Sequence, residues 1–304
     1  MVVLVAIERN SPVQTAGSPP PGPESAILAP TKAAPAALPD LPKRPESWGP
    51  FLYKEDRLPT AVVAAGVALS LAPFLVPMSA GTIACLLPVA LAARVMAPVH
   101  QHHHAHLKVF TNRWLNKLYD TVLMLGGGNV TTGWEMQHCR GHHTQYLDHE
   151  KDVAGSMRFT KSGPFRRIIY TVLGDASSLR DAWKIAGQSR DPGKVRRRLA
   201  GEVALQVAVN GALLAINPPL ALATIILPNV LLRWMVFWKS FDQHDAAPGN
   251  DVYDGSVNVS GRIQELFLNV GHHTAHHKKP TLHWSRLPEL TDQIKDKIPT
   301  VLMR

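Results

Sequence analysis

The sequence predicts an all-α integral membrane protein, with four transmembrane helices in two hairpins and a cytoplasmic helical cap. Three observations predict it. Residues 61–98 and 203–238 are long apolar stretches holding one charged residue each, Arg94 and Arg233. The other lysines and arginines flank these stretches on one side only. All fifteen histidines lie between residues 100 and 283, outside both stretches.

Each hairpin follows from length. A single span needs roughly 20 residues to cross a hydrocarbon core of ~30 Å. Residues 61–98 therefore divide into spans at 61–77 and 82–98, turning at Pro77-Met78-Ser79-Ala80-Gly81. The second stretch divides into spans at 201–216 and 220–238, turning at Asn217-Pro218-Pro219. A buried hairpin of a soluble protein would carry a polar stripe, and these segments carry none. The mean hydropathy of -0.04 hides the contrast, because it averages the spans with a polar, basic remainder.

Charge sets the orientation. Of 32 Lys and Arg, six precede residue 61, sixteen fall in 99–200 and eight follow 238, while neither turn has any. The positive-inside rule then puts both termini and the 99–200 segment in the cytoplasm. Arg94, Arg233, Trp234 and Trp238 fall near the cytoplasmic span ends, where such side chains reach the headgroups. The net charge of +9 reads as attraction to an anionic inner leaflet. Nucleic-acid binding is disfavoured, because the cations flank spans and no recognition signature appears. Residues 163–186 mix apolar and basic side chains, as a helix in the membrane interface does; a soluble surface helix is the alternative. Residues 1–50 are rich in Pro, Ala and Ser, a composition that predicts a disordered tail. The membrane domain is expected over 51–292, with a C-terminal tail at 293–304.

Two cysteines, Cys85 and Cys139, exclude a disulfide framework and a Cys-rich zinc module. The histidines instead carry the chemistry. They form three clusters, at His100–His106, His138–His143 and His272–His277, with His149, His244 and His283 apart. Positions three and four apart share a helix face. His102 and His106 are so spaced, as are His138 and His142. His273, His276 and His277 form a stripe that Asn269 extends by one turn. Because His100 and His104 share the spacing of His102 and His106, the register of the first cluster stays open. Imidazole is the commonest metal-ligating side chain. A single site takes about four ligands, so eight or nine imidazoles imply two metals. By ligand softness the set suits Fe, Cu, Ni or Zn. The cap would thus carry a metal site. Asp152, after the second cluster, either orients an imidazole or belongs to a solvated acidic turn. Cys139 is read as a bystander.

The chain resembles the membrane fatty acid desaturase superfamily, which also includes membrane hydroxylases. Asn269-Val-Gly-His272-His273-Thr-Ala-His276-His277-Lys-Lys-Pro280-Thr-Leu-His283-Trp284-Ser-Arg-Leu-Pro288 is similar to the third histidine box of bacterial fatty acid desaturases. His272 stands where many relatives have an aromatic residue and is not carried over as a ligand. His102-x3-His106, with Phe110 and Arg113-Trp114-Leu115-Asn116, resembles the first box. His138-Cys139-Arg140-Gly141-His142-His143 has one residue more than the usual desaturase box and looks more like that of membrane alkane hydroxylases. Gln243-His244-Asp245 resembles the place where relatives supply an extra histidine.

The resemblance implies two irons and dioxygen as co-substrate. The implied ligands are His102, His106, His138, His142, His143, His244, His273, His276 and His277, with Asn269 and Asp152 as possible supports. It also implies a long acyl or alkyl lipid substrate. No donor segment is evident in the chain, so the electrons would come from a separate ferredoxin-, rubredoxin- or cytochrome b5-like protein. Desaturation is favoured by the third box and hydroxylation by the second. A non-enzymatic metal-binding or transport protein is the different-class alternative; transport would place ionisable ligands within the spans, and the apolar stretches 61–98 and 203–238 contain no His, Asp or Glu.

Overall fold

The computed structural model describes residues 49–148 and 150–304. The expected disordered tail, 1–50, lies almost wholly outside them, as does His149. Among the described residues there is no strand, only two isolated bridges, Phe51–Phe110 and Asn258–Met303.

Four helices are long and apolar enough to cross a membrane: Lys54–Leu75, Ala80–His106, Pro192–Ile216 and Pro218–His244. The first contains α1 (Arg57–Leu75). The second joins α2 (Ala80–Arg94) to α3 (Met96–His106). Ser79 starts it, accepting from the Thr82 N–H at 3.1 Å, so the first turn falls where the sequence placed it. α4 (Arg113–Gly127), α5 (Thr131–Trp134), a π-helical turn (Glu135–His142) and α6 (Arg166–Ala186) follow.

The second hairpin is α7 (Pro192–Ile216), then α8 (Pro218–Ala221), a π-helical turn (Leu222–Ile226) and α9 (Leu227–His244). Asn217 ends α7 and caps α8, its side chain accepting from Leu220 N–H at 3.1 Å. A 27-residue helix is about 40 Å long, roughly 10 Å more than the hydrocarbon core. The excess carries His102, His106 and His244 beyond the apolar windows. Both hairpins thus turn on one side and present histidine-bearing ends on the other.

Arg94 does not reach for headgroups. It is 1% exposed and serves carbonyls that helix ends and prolines leave without donors. Pro228 has no N–H for Thr224 four residues earlier, and the Arg94 Nη1 donates to that carbonyl at 2.7 Å. Its Nε donates to Gly126 O, in the last turn of α4, at 2.9 Å. Asn229 Oδ1 and Ser70 Oγ accept from the same guanidinium. The charge is thereby solvated by the protein between α1, α4 and α9.

α6 runs antiparallel along the end of α9, through the ion pairs Arg166–Asp245, Arg167–Asp242 and Asp175–Arg233. Its outward side exposes Ile168, Val172 and Leu173, a face that suits lipid rather than water. The remaining helices, α10 (Ile263–Leu266), α11 (His273–Lys278) and α12 (Leu287–Ile294), form a C-terminal helical segment after α9. Residues 293–304, expected as a tail, are folded into it: Ile298 and Leu302 share a buried core with Ala275, Leu282 and Leu287.

Candidate metal centre

The first histidine cluster lies on α3, and two buried carboxylates take up two of its imidazoles. His100 Nε2 donates to Asp56 Oδ1 at 3.1 Å, and His104 Nε2 donates to Asp120 Oδ1 at 3.1 Å. These two imidazoles are committed to carboxylates, and His102 and His106 are left to face the other clusters. Asp56 also accepts from His283 Nε2 at 3.2 Å and Trp284 Nε1 at 2.8 Å. It ties the residues before α1 to the segment that follows the third box. Asp56, Asp120 and the roles of His100, His104 and His283 were not read from the sequence.

The second cluster explains its own extra residue. Glu135–His142 is π-helical, and the His143 N–H bonds the His138 carbonyl five residues back at 3.0 Å. The wider turn brings both His142 and His143 round to the side of His138. His143 Nε2 lies 3.1 Å from His138 Nε2. Gly141 is required by packing, because a Cβ there would lie 2.6 Å from Ile185 Cδ1 and 2.6 Å from Val153 Cγ2.

The third cluster sits on α11, with His244 arriving from the end of α9. His102, His106, His138 and His276 offer nitrogens that all lie within 4.8 Å of one another, and so do His142, His244, His273 and His277. His143 joins the first group, its Nε2 3.0 Å from that of His276. The structure thus brings all nine expected imidazoles together, in two adjacent groups.

The donor set fits metal ions. His142 Nδ1 donates to both oxygens of Asp152 at 2.9 Å, and His244 Nδ1 donates to Gly255 O at 3.2 Å. A neutral imidazole that donates from Nδ1 keeps a lone pair on Nε2. The Nε2 atoms of His244, His273, His277 and His142 follow one another at 3.1, 3.2 and 3.3 Å. With lone pairs at both ends, hydrogen bonding would need donors on His273 and His277, which would then meet N–H against N–H. A cation among four lone pairs removes that conflict. In the other group His276 Nε2 lies 2.9 Å from His102 Nε2 as well as 3.0 Å from His143 Nε2, and one nitrogen cannot satisfy both.

Electrostatics agree. Burial, and then the neighbouring imidazoles, hold His138, His273, His276 and His277 well below the usual histidine range. They favour the neutral form, which metal ligation requires. Burial first, then Glu135, pushes the Cys139 thiol up to about 12; it packs 3.7 Å from His106 Nδ1 as a thiol. Asn269 is not part of the α11 stripe. It precedes the helix with φ 54, and its side chain donates to Trp284 O at 3.2 Å. His272 turns away, 2.9 Å from Thr291 Oγ1.

Residues 76–304 match the family described as fatty acid desaturase. The chain belongs to the fatty acid desaturase family. Membership places it among membrane oxidoreductases of the desaturase and hydroxylase type. A comparison with curated proteins found no match.

Proposed function

We propose that the protein is a membrane-bound di-iron, O2-dependent fatty acyl desaturase that introduces a double bond into a lipid chain. The observation that carries this is the convergence of nine imidazoles, three of them on the ends of two apolar helices. His102, His106, His138, His143 and His276 would hold one iron, and His142, His244, His273 and His277 the other. When bound, such a pair with dioxygen supplies the oxidising power that an unactivated methylene requires.

The protein's own groups prepare the site. Asp152 and the Gly255 carbonyl fix the tautomers of His142 and His244, which keeps their Nε2 lone pairs aimed inward. Burial keeps water out and the imidazoles unprotonated. Trp134 stacks on His138 with ring centroids 4.7 Å apart, forming a rigid wall against which an alkyl chain is held. The electrons come from a separate ferredoxin-, rubredoxin- or cytochrome b5-like protein, drawn to the basic cytoplasmic face by complementary charge.

Hydroxylation is the second reading, supported by the long second box. The outcomes differ in whether the chain loses a second hydrogen or gains an oxygen atom. A displacement on the order of 1 Å can change a rate by ~10²-fold, so the hold on the chain decides between them. The test is turnover of the reconstituted protein with donor and ¹⁸O2. Desaturation leaves a new double bond with the label only in water. Label retained in the lipid overturns it in favour of hydroxylation.

A further inference from the structure

A cavity of about 240 Å³ lies between α6, α7, α9 and the turn after α4, and Trp134 and Gln137 form part of its lining just before His138. Trp134 is therefore shared between this cavity and the imidazole cluster. An apolar groove of about 300 Å³ lies between α6 and α9, walled by Ile168, Val172, Trp234 and Trp238. Ile168, Trp234 and Trp238 are exposed, at 51%, 40% and 37%, so the groove opens to whatever surrounds the helices. For four membrane-spanning helices that medium is lipid.

Cavity and groove meet at one polar contact. The Asp175 carboxylate accepts from Arg233 Nε at 2.8 Å and Nη2 at 3.2 Å, and both residues line the cavity. The same carboxylate accepts from the Nε1 of Trp234, a groove residue, at 3.2 Å. Beside it the α6 backbone touches α9, since a Cβ on Gly174 would lie 2.8 Å from the Phe237 ring. An ionised side chain such as Arg233 in a membrane-spanning helix is costly and marks function by default. Packing alone would be served better by apolar side chains at this seam.

We propose that Asp175, Arg233 and Trp234 form a latch across a lateral passage between α6 and α9, and that the substrate is a bilayer-resident lipid whose chain enters sideways to lie against Trp134. This rests on the reading of the protein as a lipid-chain oxidase and names the form in which the lipid arrives. A chain presented on a water-soluble carrier would instead come from the aqueous side and bypass the groove. Opening requires Asp175 to release Arg233 and Trp234, with Gly174 as the point about which the two helices part.

The test uses the full chain in phosphatidylcholine vesicles containing a phosphatidylcholine with a diazirine on its acyl chain. Light fixes the probe where it lies, and mass spectrometry of the digested protein reports label on residues 130–137 against label on the lipid-facing Val89. Val172→Trp, which fills the groove, should lower cavity label relative to Val89. Asp175→Asn should raise it by roughly two- to fivefold, as loss of a partly exposed ion pair allows. Cavity label unchanged by both substitutions overturns the proposal. So does equal cavity labelling of wild type and Val172→Trp by a water-soluble diazirine acyl thioester. The labelling needs neither dioxygen nor an electron donor. A failed latch therefore leaves the oxidase reading standing, and absent turnover leaves the passage intact.

Discussion

Asp152 grips His142 with both carboxylate oxygens at 2.9 Å, and this is the residue on which the second imidazole group leans. Asp152→Asn keeps the volume but removes the charge and one acceptor. It is expected to lower iron affinity or turnover by ~10–100-fold, measured by iron content after dialysis and by product formation. His276→Ala removes a nitrogen that lies within 3.0 Å of two others; iron should fall below two per chain and turnover should vanish, and full occupancy would remove the third cluster from the site. Asp56→Ala acts on folding instead. It leaves three buried donors without their acceptor, at about 1–3 kcal/mol for each, and should show as a lowered midpoint of thermal unfolding in detergent. The pairs His102/His106 and His138/His142 and the stripe His273/His276/His277 were legible in the sequence because i, i+3 and i, i+4 spacing is local, whereas His143 and His244 entered through the resemblance alone. Asp56 was not legible, because it meets His100 across 44 residues and His283 across 227, and no spacing rule spans such distances. The open register of the first cluster had the same cause, since only the carboxylates across the fold distinguish His100 and His104 from His102 and His106.

The π-helical turn Glu135–His142 shows what an element adds to its residues. Read as an ordinary α-helix, the second box puts His138 and His142 on one face and leaves His143 off it. The i→i+5 bond gathers all three, and such turns recur at functional sites. The tolerance for a side chain at Gly141 is correspondingly small. Gly141→Ala is expected to cost about 1–2 kcal/mol through overpacking against Val153 and Ile185. Ile185→Val in the same chain should return part of that loss by removing the Cδ1 contact, and unfolding of the single and double variants measures it. If the single variant unfolds like the wild type, the close approach of α6 to this turn is wrong. Arg94 carries a similar lesson for α2. Its sequence position near a span end suggested a headgroup contact, but the carbonyls freed by Pro228 and by the end of α4 are in reach only once three helices have packed.

At the scale of the whole molecule, the two hairpins and their turns were legible because an unbroken apolar stretch has few other physical meanings. The course of α6 along α9 and the folding of residues 293–304 under the third box were not, since both depend on which partner is met and not on periodicity. Sidedness rests on charge alone. Thirty cations flank the spans at their histidine-bearing ends or lie beyond them, and none lies in the turns at 77–81 and 217–219. Carrying Lys or Arg through a bilayer centre costs about 2.5–3.5 kcal/mol each on insertion scales, so we propose that the basic ends stay on the side of synthesis. On that proposal the histidine-bearing ends go with them, because α3 and α9 carry candidate ligands at the ends opposite the two turns. Accessibility tags at the C-terminus and near Gly163 should therefore report the cytoplasm, and a tag in the turn at Asn217 the opposite compartment. If the tag near Gly163 and the one at Asn217 report the same side, α7 does not cross the bilayer and the second hairpin is misassigned. If they report opposite sides with the order reversed, the fold survives, but the imidazole site faces away from cytoplasmic electron donors and the proposed donor proteins are excluded.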